Sequence, residues 1–270
     1  MNAVLPRFIR HYLLALQFFT RVPVTGRLAD WVGFSPAMLR ASAAHFPGVG
    51  WLVAAVACVV AAAGLHAWPT QTFGPLVTAA LCTAATVWLT GGFHEDGLAD
   101  VADGLGGSAD RVRALEIMKD SRIGAYGAMA LVLALLTKVA LLALLGAHSG
   151  TAMLAALCGG HVWSRWCPLV LVKSLAHVGD AAQSKSKPLA DQMTTAALAV
   201  AALWCVPPLA LLAWMQGAEF LAAALACSAL ALWWMRRLLV RRLQGFTGDG
   251  LGATQQLCEL AFYLGAALTL

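Results

Sequence analysis

Charged side chains are scarce in this chain: Asp, Glu, Lys and Arg make up 11% of its 270 residues, against 60% that are hydrophobic. A soluble domain carries about 25% charged residues, and a chain this apolar cannot cover its own surface with polar groups. The scarcity argues against an ordinary soluble enzyme and for a chain embedded in lipid. Metal-binding cysteine patterns are missing too. Cys58, Cys82, Cys158, Cys167, Cys205, Cys227 and Cys258 all sit in apolar stretches, with neither a CxxC nor a Cys/His spacing. They read as small helix-packing residues, not as zinc ligands or disulfide partners. No signal peptide is expected either, because the apolar run over 12–19 ends in Thr20-Arg21-Val22-Pro23 with no small-residue cleavage site. No basic stripe interleaved with aromatics occurs. The net charge of +5 therefore points to membrane topology and anionic lipid, not to nucleic acid.

What is present is a set of long apolar runs. Crossing a bilayer core takes about 20 apolar residues of helix. Seven segments qualify, roughly 46–66, 74–92, 124–147, 151–172, 192–214, 219–235 and 252–270. The run 11–19 is too short to span and reads as a re-entrant or interfacial helix, with Arg7, Arg10 and Arg21 near its ends. The expectation is an all-α, polytopic integral membrane helix bundle, one domain over 1–270, with no internal repeat. Charge sets the sidedness. With the N-terminus inside, segments 1–45, 93–123, 173–191 and 236–251 hold 16 of the 18 Lys and Arg residues, and the outside loops 67–73, 148–150 and 215–218 hold none. Lys138 and Arg165 are the two exceptions, both within spans. The stretch 180–188 reads as a flexible basic loop.

Seven of the thirteen acids fall between Glu95 and Asp120. Their core is Gly91-Gly92-Phe93-His94-Glu95-Asp96-Gly97-Leu98-Ala99-Asp100-Val101-Ala102-Asp103-Gly104. Asp96, Asp100 and Asp103 lie at i, i+4 and i+7, which is one helix face. Like charges stacked this way repel, more so near a low-dielectric membrane, and a divalent cation is the simplest group to offset that. Carboxylates without cysteine select hard cations such as Mg²⁺ or Mn²⁺. Two blander readings are a solvated acidic loop and an ion pathway through the bundle. Gly97, Ala99, Ala102 and Gly104 keep the backbone bare, as if a bulky ligand or another helix comes close.

Lys119, Asp120 and Arg122 follow at the start of the next span, where cations suit phosphate oxygens or anchor the span. A second acidic motif is Gly245-Phe246-Thr247-Gly248-Asp249-Gly250-Leu251-Gly252-Ala253-Thr254. Asp249 there is either the N-terminal cap of the last helix or a ligand or substrate contact beside glycine N–H groups. Arg236, Arg237, Arg241 and Arg242 precede it.

These motifs resemble the cobalamin synthase family, adenosylcobinamide-GDP ribazoletransferase. The resemblance rests on 91–104, on Ile117-Met118-Lys119-Asp120-Ser121-Arg122-Ile123-Gly124-Ala125-Tyr126-Gly127, on 247–254, on Phe18-Phe19-Thr20-Arg21-Val22-Pro23 and on Ser164-Arg165, and it runs from about residue 8 to 262. Glu95 departs from it, since the family has an apolar residue there. The resemblance implies a Mg²⁺-dependent enzyme of the bacterial inner membrane with its active site facing the cytoplasm. Such an enzyme joins the corrinoid nucleotide adenosylcobinamide-GDP to α-ribazole, or its 5′-phosphate, with release of GMP. On this reading Asp96, Asp100 and Asp103 are metal ligands, with Asp249 or Glu95 as additional ones. A carboxylate or His94 takes the hydroxyl proton, and Lys119, Asp120, Arg122, Asp249 and Arg21 meet substrate. Membrane lipids are the other partners, and a homo-oligomer is left open. The Asp spacing is also similar to that of the CDP-alcohol phosphotransferases, which make lipids. An ion-coupled transporter or a scaffold protein is the remaining alternative; the transporter would show inverted repeats, and none is visible.

Overall fold

The computed structural model describes residues 4–178 and 193–270; the basic stretch 180–188 lies outside them. Among the described residues the regular structure is all helix, apart from one isolated bridge between His177 and Phe246. In order the helices are α1 (Val4–Phe19), α2 (Gly26–Val32), α3 (Pro36–Ser42), α4 (Phe46–Ala67), α5 (Gly74–Thr90), α6 (Phe93–Gly107), α7 (Arg111–Ile117), α8 (Ala125–His148), α9 (Gly150–Ser174), α10 (Thr195–Gln216), α11 (Ala218–Leu243) and α12 (Gly248–Ala267). The protein is a polytopic helical membrane protein.

Each of the seven expected spans coincides with a helix, but the helices are not alike. The continuous helical run Pro36–Ala67, α8, α10 and α11 are each long and apolar enough to cross a membrane, and α5 with α6 makes a fifth when the two are counted together. Helices α9 and α12 fall outside that set. Both are inner helices: α9 packs on α4, α10 and α12, while α12 packs on α6, α8, α9 and α11. A helix that meets protein on most sides does not need a lipid-compatible surface. Thus α12 buries Gln255, Gln256 and Glu259, and α9 buries His161 and Arg165. Helix α1, at 16 residues, reaches only about 24 Å at 1.5 Å per residue. It lies on α3 and α4, burying Leu14, Ala15, Leu16 and Phe19 while its basic N-terminal turn stays exposed.

Specific contacts gather the described parts of the basic segments at one end of the bundle. The Arg21 N–H donates to the Leu89 carbonyl at 2.8 Å, and the Phe246 N–H to the Ala176 carbonyl at 2.9 Å. Arg111 Nε donates to the Leu243 carbonyl at 2.7 Å. The Arg242 guanidinium donates to the carbonyls of Leu105 and Ser108 at 3.1 and 2.5 Å, closing the C-terminal end of α6 with a cation where the helix dipole is negative. At this end the chain leaves α5 through Gly91 and Gly92, with φ of +72° and +70°, which L side chains seldom adopt. Helix α6 departs at 90° to α5.

Candidate active site

Along α6 the three aspartates sink progressively into the protein: Asp96 is exposed, Asp100 half-buried and Asp103 buried. The start of α12 crosses α6 where both chains are bare. A Cβ on Gly97 would lie 2.8 Å from the Asp249 carbonyl oxygen, and one on Gly252 would lie 3.3 Å from the His94 carbonyl oxygen. Another helix, then, accounts for the small residues in both motifs. This crossing sets Asp249 beside the α6 face, although the two lie some 150 residues apart in sequence.

Asp249 is free to act there because the cap is another residue. Thr247 is the N-cap of α12, and its hydroxyl accepts from the Gly250 N–H at 3.1 Å. The carboxylates feel each other. Burial, then the charges of Asp249, Asp96 and Asp103, pushes Asp100 up to about 7. Burial and Asp96 push Asp249 up to about 6. Both shifts have the sign expected when like charges share a site with no cation between them.

Asp103 is engaged elsewhere. Its two carboxylate oxygens accept from the N–H groups of Gly124, at 2.7 Å, and Gly127, at 2.8 Å. These are donors that the first turn of α8 would otherwise leave unpaired. A Cβ on Gly124 or Gly127 would collide with that carboxylate, which explains both glycines of the Gly124–Gly127 motif. Glu95 also leaves the aspartate face. It is buried, with Oε1 accepting from Gln256 Nε2 at 3.1 Å and Oε2 without a partner.

Among the described residues, no three His, Cys, Asp or Glu side chains stand close enough together to chelate an ion unaided. That suits the habit of Mg²⁺, which takes one or two carboxylates and completes its shell with water and substrate phosphate. An all-oxygen set of Asp96, Asp100 and Asp249, the last two with raised carboxyls, fits such an ion.

The loop after α7 holds the cationic candidates. Arg122 binds Asp120 through Nε and Nη2, the shorter contact at 2.6 Å, which holds the Asp120 carboxyl down at about 2. Both line a hollow of about 1,010 Å³ that also touches Asp103, Gly107, Gly124 and Tyr126. Lys119 is exposed on the same loop. Arg21 is exposed at the α5–α6 bend, where a Cβ on Gly91 would lie 3.0 Å from its Nε. His94 is buried at the other end of α6, stacked 5.6 Å from Phe46 with its rings 17° apart. Its Nε2 has no hydrogen-bond partner, and burial, followed by Arg165, holds it well below the usual histidine range. Two hollows flank α6, one at each end.

Sequence reasoning missed a polar network in the bundle centre. Glu259 Oε1 pairs with Lys138 Nζ at 2.6 Å and accepts from the Tyr263 hydroxyl at 3.2 Å. Its Oε2 accepts from Gln255 Nε2 at 2.6 Å and faces His161 Nδ1 at 3.4 Å. Gln256 then carries the network to Glu95. The signal was there in part: Gln255, Glu259 and Tyr263 recur every four residues, on one helix face.

A family model described as cobalamin-5-phosphate synthase matches residues 11–267. The chain belongs to that family. It is therefore an enzyme of cobalamin synthesis, a transferase. A protein of Polaromonas naphthalenivorans named adenosylcobinamide-GDP ribazoletransferase is 62% identical over 276 residues, covering 98% of this chain and 99% of the relative. One of the same name from Albidiferax ferrireducens is 62% identical over 278 residues, with the same coverage. Another from Vibrio cholerae is 38% identical over 264 residues, covering 98% of this chain and 95% of the relative. No solved structure matches the chain.

Proposed function

We propose that this member of the family joins adenosylcobinamide-GDP to α-ribazole, or to α-ribazole 5′-phosphate, and releases GMP. The reaction is Mg²⁺-dependent and takes place at the cytoplasmic face of the bacterial inner membrane. The observation that carries this reading is the glycine-to-backbone crossing of α6 and α12, which sets Asp249 beside the Asp96 and Asp100 face. The names borne by the relatives supply the substrates, and the gathering of the basic segments at the same end supports the sidedness.

The acceptor hydroxyl oxygen attacks the phosphorus that carries the corrinoid, and the phosphorus–oxygen bond to GMP breaks. Phosphoryl transfer of this kind asks a protein for positioning and for neutralisation of charge, with little covalent help. Asp96, Asp100 and Asp249 would hold Mg²⁺, which would supply positive charge against the negative charge that develops as GMP leaves. A carboxylate of this face that the ion leaves free is suited to take the proton of the acceptor hydroxyl. Arg122 exchanges Asp120 for a phosphate oxygen pair, a geometry its planar fork matches, and Arg21 meets the donor at the α5–α6 bend. Asp103 keeps the 124–127 turn in place. The lipid-synthesis alternative shares only the Asp spacing of α6, and the family match favours the ribazole transfer.

The test is to incubate the purified protein, in detergent or nanodiscs, with adenosylcobinamide-GDP, α-ribazole and Mg²⁺. GMP should appear in step with the joined corrinoid and stop when EDTA is added. Absence of GMP in protein that remains folded overturns the reading, and release unaffected by EDTA overturns the metal.

A further inference from the structure

Beside the carboxylates, at the N-terminal end of α6, lies a half-enclosed cleft of about 500 Å³ counted out to its mouth. Its walls come from Phe18 and Phe19 of α1, Ala43 just before α4 and Phe46 at its start, Phe93 and His94 of α6, Pro168, Leu169 and Val172 of α9, and Gly248, Leu251 and Gly252 of α12. The aromatic side chains form an ordered set. Phe19 stacks on Phe46 at 4.0 Å and 23°, and Phe46 on His94 at 5.6 Å and 17°. Phe93 stands edge-on to His94 at 5.4 Å and 88°. The lining is almost wholly apolar, and its one titratable side chain is His94, whose buried Nε2 makes no hydrogen bond. A buried ring nitrogen left unpaired has lost the hydrogen bond that water would give it. A built aromatic slot that retains such a nitrogen has the form of a ligand site with a single polar contact.

We infer that this cleft, walled by Phe19, Phe46, Phe93 and His94, is the subsite for the aromatic base of the acceptor nucleoside. The inference rests on the transferase reading and names the acceptor's place within it. Three features select this occupant. Flat fused rings match stacked and edge-on aromatic walls. The base of α-ribazole is a weakly polar heteroaromatic with one ring nitrogen left to bond, which matches one unpaired histidine nitrogen. Guanine, the base of the donor, carries several donors and acceptors on its edge, and an apolar slot would leave most of them unpaired at a cost in free energy. Position agrees with chemistry: Gly248 and Gly252, which line the cleft, flank Asp249 in the first turn of α12. A base seated there sends its ribose toward the carboxylates. His94 is thus a positioning residue for the acceptor, holding the base while the carboxylate side handles the hydroxyl.

The test uses the full-length protein with two changes in the cleft lining, His94→Phe, which keeps a stacking ring and removes the nitrogen, and Ala43→Leu, which narrows the cleft. Two quantities are measured: equilibrium binding of α-ribazole without donor, and the KM values for α-ribazole and for adenosylcobinamide-GDP. Both variants should weaken α-ribazole binding and raise its KM by about tenfold or more, while the KM for the donor stays within about twofold. A raised donor KM with unchanged α-ribazole binding assigns the cleft to the donor and overturns the inference. Wild-type affinity for α-ribazole in both variants overturns it as well. Wild-type protein that binds α-ribazole in this cleft but releases no GMP overturns the transferase reading and leaves the subsite standing.

Discussion

Asp249 and Glu259 stand ten residues apart on one helix, and the protein treats their charges in opposite ways. Glu259 is buried with both carboxylate oxygens occupied by Lys138, Tyr263, Gln255 and His161. Asp249 faces other carboxylates, and its own carboxyl is pushed up to about 6. A buried charge that is fully answered belongs to the fold. Charges crowded together without an answer mark the place where something else is to bind.

Breaking the answered charge should have the largest effect on the fold. Glu259→Gln leaves Lys138 buried without a counter-charge, and removing one partner of such a pair costs about 3–5 kcal/mol. The variant should melt well below wild type in detergent, and Lys138→Met in the same chain should recover part of the loss. Stability unchanged by Glu259→Gln would show that the network contributes nothing.

At the unanswered end the effect should fall on rate alone. Asp96→Asn and Asp249→Asn are each expected to lower kcat by about 10²–10³-fold, as losing charge stabilisation of a transition state does, with wild-type melting behaviour. Wild-type turnover in both at limiting Mg²⁺ would remove the metal assignment.

Asp103 sits between the two cases, acidic like its neighbours but already bonded. Asp103→Asn swaps one acceptor oxygen for an amide that cannot take an N–H, so about 1–3 kcal/mol of stability should go. Hydrogen exchange at Gly124 and Gly127 should quicken, and kcat should drop far less than in Asp96→Asn. An equal drop in kcat with unchanged exchange would return Asp103 to the metal.

The smallest effect is on pH. Asp100 at about 7 and Asp249 at about 6 hold protons near neutrality that a cation must displace. Mg²⁺ affinity should therefore strengthen as pH rises from about 6 to 8, with proton uptake into buffer on binding detectable by calorimetry in buffers of different ionisation heat. Affinity flat across that range would mean that neither carboxyl is a ligand.

Part of this comparison was legible in the sequence. The 3.6-residue period placed Asp96, Asp100 and Asp103 on one face, and all seven expected spans fall on helices. The glycines of both motifs announced a close approach, though not of what. Glu95 was weighed as a metal neighbour because adjacency in sequence looks like adjacency in space. On a helix, neighbours lie about 100° apart, so Glu95 turns inward while Asp96 stays at the surface.

Composition and periodicity by themselves determined that the chain is a polytopic helical membrane protein and that one stretch concentrates acid. These follow from averages and local repeats, which need no knowledge of contacts. Only the tertiary structure decided that α9 and α12 are the polar inner helices, that Thr247 and not Asp249 caps α12, that Asp103 holds the start of α8, and that Asp249 completes the carboxylate face. Each depends on which helices cross, and a crossing is set by side-chain packing between segments far apart in sequence, which no local pattern encodes.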